Sequence, residues 1–173
     1  MSEPIVLIVE DDPALRDALA ATVELAGFAV KSAADGTQAM QVLDGGRISI
    51  AALSLGIARG ALDAAVDYAS VREQFGKPLS SFQLTKAKLA DMATKLELAR
   101  LITYKAAWNF DQGRIDPKLT SMAKMYAART AVEVADEAIQ LLGGYGYMTE
   151  YEVERFYRDA KIFEIYECIK EIK

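Results

Sequence analysis

The stretch GRISIAALSLGIARGALDAAVDYASVREQFGKPLSSFQ, residues 46–83, decides the fold. Its apolar residues recur at helical spacing. Ile50, Leu53, Ile57, Leu62 and Val66 fall roughly along one side, and the many alanines between them permit close packing. A helix is expected over about 49–71, ended by FGKPLSS at 75–81, with Gly76 and Pro78 as breakers and Ser80 or Ser81 capping the next helix.

Working outward from there, the pattern stays helical. A second long helix is expected over about 82–110, carrying Leu84, Leu89, Met92, Leu96, Leu101 and Ile102. DQGRIDP ends it, and Asp116 with Pro117 starts a third helix reaching about residue 142. GGYGYMTE is a glycine-broken turn, and residues 151–167 read as a shorter fourth helical stretch. Long helices joined by short breakers predict a mainly α protein built on an up-and-down four-helix bundle. After residue 46 no further strand-like run appears.

Toward the N-terminus the period changes. IVLIV at 5–9 is a short β-branched run of the kind buried on both faces of a parallel sheet, and it ends in Glu10, Asp11 and Asp12. Asp12 is a plausible cap and Pro13 a fitting first residue for a helix, whose apolar side is Leu15, Leu19, Val23 and Leu25 before Gly27 stops it. FAVKSAA predicts a second strand, and DGTQAMQVL a second helix capped at Asp35 or Thr37. This βαβα beginning implies a parallel pair of strands. LDGG at 43–46 marks the seam, so the expected domains are 1–44 and 45–173. Two strands without sheet neighbours expose unpaired edges, which predicts pairing with another copy or cover by the bundle.

Composition narrows the functions. With 173 residues, 52% hydrophobic and 26% charged, the chain can bury a substantial core. A net charge of −5 and no dense run of Lys or Arg argue against a nucleic-acid surface. The single cysteine, Cys168, excludes an intrachain disulfide, and the opening MSEPIVLIVEDD has no basic signal-type leader, so a reducing cytoplasm is expected. The longest uninterrupted apolar runs fall short of the roughly 20 residues of a membrane helix. With no histidine in the sequence, Ser/His and Cys/His nucleophilic schemes and histidine-ligated zinc are excluded. Acid–base chemistry must then rest on other groups, a carboxylate being the commonest choice.

Two families are resembled. VLIVEDDPALRDALAATVELAGFAV, residues 6–30, has the order of strand, acidic cluster and helix that opens a response-regulator receiver domain, a flavodoxin-like fold. That resemblance implies Mg²⁺ binding by Asp11 and Asp12, since hard oxygen ligands suit the ion. The receiver's phospho-acceptor Asp, hydroxyl residue and Lys have no matching positions, which leaves capping as the alternative role of the two acids. From Gly45 to Glu167 the chain resembles the C-terminal helical domain of acyl-CoA dehydrogenases. The opening motif is the stretch at 46–83, and the closing motif is AIQLLGGYGYMTEYEVERFYRDAKIFEIYE at 138–167.

The second resemblance implies FAD as cofactor. Arg72, Gln74 and Phe75 of REQFG would contact the FAD of a neighbouring subunit, the guanidinium pairing with the pyrophosphate and the ring packing on a flavin or adenine ring. Gln140 and Gly144 of QLLGG would meet the same cofactor from the other side, glycine letting the backbone approach. Glu167 matches the catalytic base that takes the proton α to a thioester carbonyl while a hydride passes to flavin. Arg47 is placed near the active site, and Arg158 with Asp159 is expected as a structural ion pair. The family's Gly-Thr pair after the base is replaced by Cys168 and Ile169. Homo-oligomers, dimeric or tetrameric, are implied, with acyl-CoA bound where a complete site forms.

The leading expectation is therefore a helical-bundle piece of an FAD-dependent acyl-CoA dehydrogenase, inactive by itself because the family's other catalytic domains are missing. One alternative is a two-family fusion serving as a folded scaffold. Another is a receiver-type signalling module without its phospho-acceptor. Neither a nucleic acid nor a membrane is expected as partner.

Overall fold

The computed structural model describes residues 5–165. The chain divides into two compact units, Met1–Gly46 and Arg47–Lys173.

In the first unit, β1 (Ile5–Val9) and β2 (Ala29–Ala33) pair in parallel, Ile5 opposite Ala29 through to Val9 opposite Ala33. Helix α1 (Pro13–Leu25) links them, capped by Asp12, whose Oδ1 accepts from the backbone N–H of Ala14 and Leu15 at 2.8 and 3.1 Å. Gly27, with φ 86°, turns the chain back toward β2. The βαβ order was legible from the period change, but the apolar side of α1 is not buried. Leu15 and Leu19 remain exposed, and α1 contains no buried residue. A pair of strands and one helix offer too little surface to cover that side. Among the described residues each strand has a single neighbour.

Helix α2 runs uninterrupted over Gly36–Val71 and carries the chain from the first unit into the second. Asp35 Oδ1 accepts from the Gln38 N–H, and Gln38 Oε1 accepts from the Ala34 N–H, a reciprocal start close to a capping box. The break expected at Gly45–Gly46 does not occur. Each glycine costs a helix about 1 kcal/mol relative to alanine, which the long helical segments on both sides outweigh.

In the second unit α2 continues into a hairpin of β3 (Glu73–Gln74) and β4 (Lys77–Pro78). A 3₁₀ turn at Leu79–Ser81 leads to α3 (Gln83–Asp111). Helix α4 (Pro117–Leu142) follows, then the short α5 (Gly144–Tyr147), a 3₁₀ turn at Thr149–Tyr151, and α6 (Val153–Ile165). The hairpin is a strand pair the sequence reading did not expect. Two residues per strand carry no detectable alternation. Ser80 and Ser81 do not cap α3; Phe82 holds the cap position without a side-chain bond, and Ser81 Oγ donates to the Pro78 carbonyl. Asp116 does cap α4, accepting from the Leu119 N–H at 3.0 Å.

The core draws on α2, α3, α4 and α6, with Ala58, Ala61, Leu62 and Ala65 against Met92 and Leu96, Ala131 to Leu142, and Val153 and Ala160. One level is formed by three alanines, Ala51, Ala99 and Ala127, one from each of α2, α3 and α4. The face of α2 that is buried combines Ile50 and Leu62, as expected, with an alanine stripe, Ala51, Ala58, Ala61, Ala65 and Ala69, while Leu53 and Val66 are exposed. On α3, Leu84 and Leu101 are likewise exposed, and Ala99, Thr103 and Ala106 are buried beside Met92 and Leu96. Where a helix is apolar on several sides, the small side chains face the neighbour, because they let backbones approach within contact distance. By length and composition α2 could cross a membrane, a property it shares with core helices of bundles.

Candidate functional site

The REQFG segment begins where α2 ends. The Arg72 backbone is held on both sides: its N–H donates to the Tyr68 carbonyl at 2.9 Å, and its carbonyl accepts from the Leu79 N–H at 2.8 Å. Phe75 and Gly76 form the hairpin tip with φ of 53° and 75°, the positive pair that matches the twist of two antiparallel strands. Such a φ costs a bulky residue on the order of 1–3 kcal/mol, yet Phe75 is 93% exposed, its ring lying edge-to-face with Phe82 at a centroid separation of 6.4 Å. Lys77 Nζ lies 4.3 Å over the Phe82 ring, pinning the base of the hairpin. Gln74 turns its amide back on the hairpin, donating to the Glu73 carbonyl at 2.7 Å.

The QLLGG segment closes α4. Gly143 stops the helix at φ 61°, ψ −137°, a conformation that requires glycine, and its N–H donates to the Gln140 carbonyl. A Cβ on Gly146 would stand 2.7 Å from the Ile139 carbonyl oxygen, so this glycine is required by packing. Gly144 differs from both: a Cβ there would meet nothing within 4 Å. Gln140 is exposed on the last turn of α4.

The two motifs meet through an aromatic side chain the sequence reading did not single out. The Arg72 guanidinium lies 5.5 Å over the ring of Tyr145, the residue next to Gly144. Tyr145 is itself flanked by Tyr151 at 5.0 Å and Tyr68 at 6.5 Å. Among the described residues no carboxylate pairs with Arg72. The tyrosine density of GGYGYMTEY was the signal that could have revealed this cluster. A guanidinium whose N–H donors no described carboxylate engages suits a diphosphate, the open backbone at Gly144 suits a close approach, and the exposed Phe75 ring suits a planar group. These residues therefore fit FAD on donor chemistry.

Glu167 falls outside the described residues, as do Cys168 and Ile169. Arg47 lies on α2, 25 residues before Arg72 and thus about 37 Å along the helix, too far to join this cluster. Arg158 does not pair with Asp159. Its carboxylate neighbour is Glu154, 3.9 Å away and one turn earlier, because adjacent helical residues point in different directions. Mg²⁺ binding at Asp11 and Asp12 finds no support: Asp12 is engaged in capping, Glu10 Oε1 accepts from the Asp12 N–H, and no group of three or more ligating side chains exists among the described residues.

Hollows lie on the bundle among the described residues. A cleft of about 630 Å³ is lined by Asp136, Ile139, Tyr147, Thr149, Glu154, Tyr157 and Arg158. A smaller one of about 230 Å³ lies over Lys95, Tyr126, Arg129 and Glu133. In the second, hydrogen bonds from Arg129 and then Lys95 hold the Glu133 carboxyl below its usual range. The same geometry raises Lys95, through Asp91 and then Glu133. This network staples α3 to α4 and is a structural feature.

The model of the acyl-CoA dehydrogenase C-terminal domain matches residues 35–173. The probable acyl-CoA dehydrogenase YngJ of Bacillus subtilis (strain 168) is 53% identical over 136 residues, which are 79% of this chain and 36% of that protein. The mitochondrial short-chain specific acyl-CoA dehydrogenase of Homo sapiens is 53% identical over 135 residues, 78% of this chain and 33% of that protein. The solved structure of butyryl-CoA dehydrogenase from Megasphaera elsdenii matches with a TM-score of 0.76 at 50% identity, over 78% of this chain and 35% of the other. The chain thus spans about a third of the length of the curated relatives it matches. None of this supports the receiver-domain resemblance of residues 1–44.

Proposed function

The chain belongs to the acyl-CoA dehydrogenase family through its C-terminal helical domain, and from that premise we propose that the bundle supplies one wall of an FAD site serving α,β-dehydrogenation of an acyl-CoA thioester. The observation that carries this reading is the convergence of REQFG and QLLGG at Arg72 and Tyr145. Arg72 would bind the pyrophosphate, Phe75 would pack on a ring, and Gly144 would let the backbone come close, with Gln140 adding amide contacts. Bound flavin would accept the hydride from the β-carbon of the substrate. Glu167 would take the α-proton, so that loss of proton and hydride leaves a carbon–carbon double bond.

The 173 residues by themselves are proposed to be catalytically incomplete, because one wall holds neither the whole flavin nor the acyl chain. Homo-oligomerisation is part of the reading. Leu98, Leu101, Tyr104 and Trp108 lie exposed along one side of α3, an apolar strip of the kind that marks an interface. The outer edges of β1 and β2, unpaired among the described residues, with Ile5 and Val9 exposed, support self-association through the first unit as well. The reading of residues 1–44 as a receiver-like piece in a fusion rests on their βαβα order and the acids after β1.

The visible absorption spectrum of the purified chain, taken before and after loading with FAD and gel filtration, tests the flavin reading. A retained flavin spectrum is expected, lost in Arg72→Ala. A colourless wild-type protein, with no binding at micromolar FAD by titration, would refute it.

A further inference from the structure

The stacking of Arg72 on Tyr145 does more than bring two motifs together. We propose that Tyr145 is a positioning residue, which holds the Arg72 guanidinium in one orientation so that its N–H donors receive a phosphate of the flavin nucleotide. The inference rests on the flavin reading and adds to it a residue which that reading did not contain.

Three observations carry it. The Arg72 backbone is fixed by hydrogen bonds at both N–H and carbonyl, so the side chain starts from a defined point. A guanidinium on a flexible stem would still sample many rotamers, since no carboxylate among the described residues holds it. The Tyr145 face at 5.5 Å is what restricts it, and that ring is restrained in turn by Tyr151 at 5.0 Å and Tyr68 at 6.5 Å, tilted 50° and 55°. A cation–π contact with the ring takes none of the guanidinium's N–H donors into a hydrogen bond and so leaves them for a ligand. A two-pronged ion pair would have occupied two of the five donors and neutralised the charge. Pre-orientation lowers the entropic cost of binding, so the effect should appear as affinity for phosphate-bearing ligands.

The experiment compares the full chain with Tyr145→Phe and Tyr145→Leu. NMR of the Arg72 Nε–Hε group reads the stacking directly, as an upfield ring-current displacement. Titration with FAD, riboflavin and inorganic pyrophosphate reads its consequence. Wild type and Tyr145→Phe should show the displaced resonance and equal FAD affinity. Tyr145→Leu should lose the displacement and bind FAD roughly threefold to thirtyfold more weakly, with riboflavin unaffected. Tyr145 is 44% exposed, so the Leu variant should fold, and circular dichroism checks this. An undisplaced resonance in wild type overturns the inference. So does unchanged FAD affinity in Tyr145→Leu, or Tyr145→Phe binding as weakly as Leu. If wild type binds no FAD, the flavin reading fails. Positioning then stands if pyrophosphate perturbs Arg72 in wild type and not in Tyr145→Leu, and falls if pyrophosphate perturbs neither.

Discussion

Gly146→Ala tests whether the glycines of GGYG have separate physical roles. The added methyl carbon would lie 2.7 Å from the Ile139 carbonyl oxygen, 2.9 Å from the Ile139 Cα and 2.9 Å from the Leu142 Cβ. Two of those three atoms are backbone of α4, which cannot swing aside as a side-chain tip can. Relief requires α5 to move off the end of α4, and overpacking of this kind costs about 1–3 kcal/mol. For a chain of this size each kcal/mol lowers Tm by about 2–4 °C, so thermal unfolding followed by far-UV circular dichroism should show a drop of about 2–12 °C. Gly144→Ala is the control, because its methyl would meet nothing within 4 Å and its φ is not positive. Its stability should stay within about 0.5 kcal/mol of wild type. The displaced α5 carries Tyr145, so Gly146→Ala should also weaken the Arg72 stacking, whereas Gly144→Ala should weaken FAD binding without loss of stability. A Gly146→Ala protein as stable as wild type, or a Gly144→Ala protein equally destabilised, would refute this division of roles.

Three further outcomes follow from the packing. Met92→Ala empties a site only 1% exposed and should cost about 2–5 kcal/mol in urea unfolding, while Leu84→Ser, at a position 81% exposed, should cost less than about 0.5 kcal/mol. Glu133 has a lowered carboxyl pKa in the folded protein, so its contribution is present above the ordinary value of 4.5 and is lost as pH falls through the lowered one. The urea midpoint difference between wild type and Glu133→Gln should accordingly be constant near neutral pH and shrink under acid; a difference that grew on acidification would contradict the assignment. Trp108→Glu, on the exposed strip of α3, should shift sedimentation toward monomer without lowering Tm, and an unchanged sedimentation coefficient in an associating wild type would remove that strip from the interface.

Local signals were read well where the cause is local. Asp12, Asp35 and Asp116 cap the helices they were expected to cap, because a short acceptor before a helix serves its orphan N–H groups whatever surrounds it. The stop at Gly143 and the reversal at Gly76 are of the same kind, each needing a backbone angle that glycine adopts without strain. The reading failed where a local cost competes with longer-range gains. Gly45 and Gly46 looked like a break between helices and are helical, although the two compact units do divide after Gly46, and Ser81 looked like a cap but bonds to Pro78.

The sequence by itself determined the helical period, the ends of most elements, and the motifs that place the chain in its family. Those depend on side chains within a few positions of one another. Only the tertiary structure decided which face of each helix is buried, since α2 is apolar on more than one side and the choice of alanines over Leu53 and Val66 is made by how near the neighbouring helices can come. It also decided that Arg72 meets Tyr145, residues 73 positions apart whose contact follows from the close of α4 being folded back to the end of α2. No periodicity encodes that pairing, because it arises from the packing of whole helices.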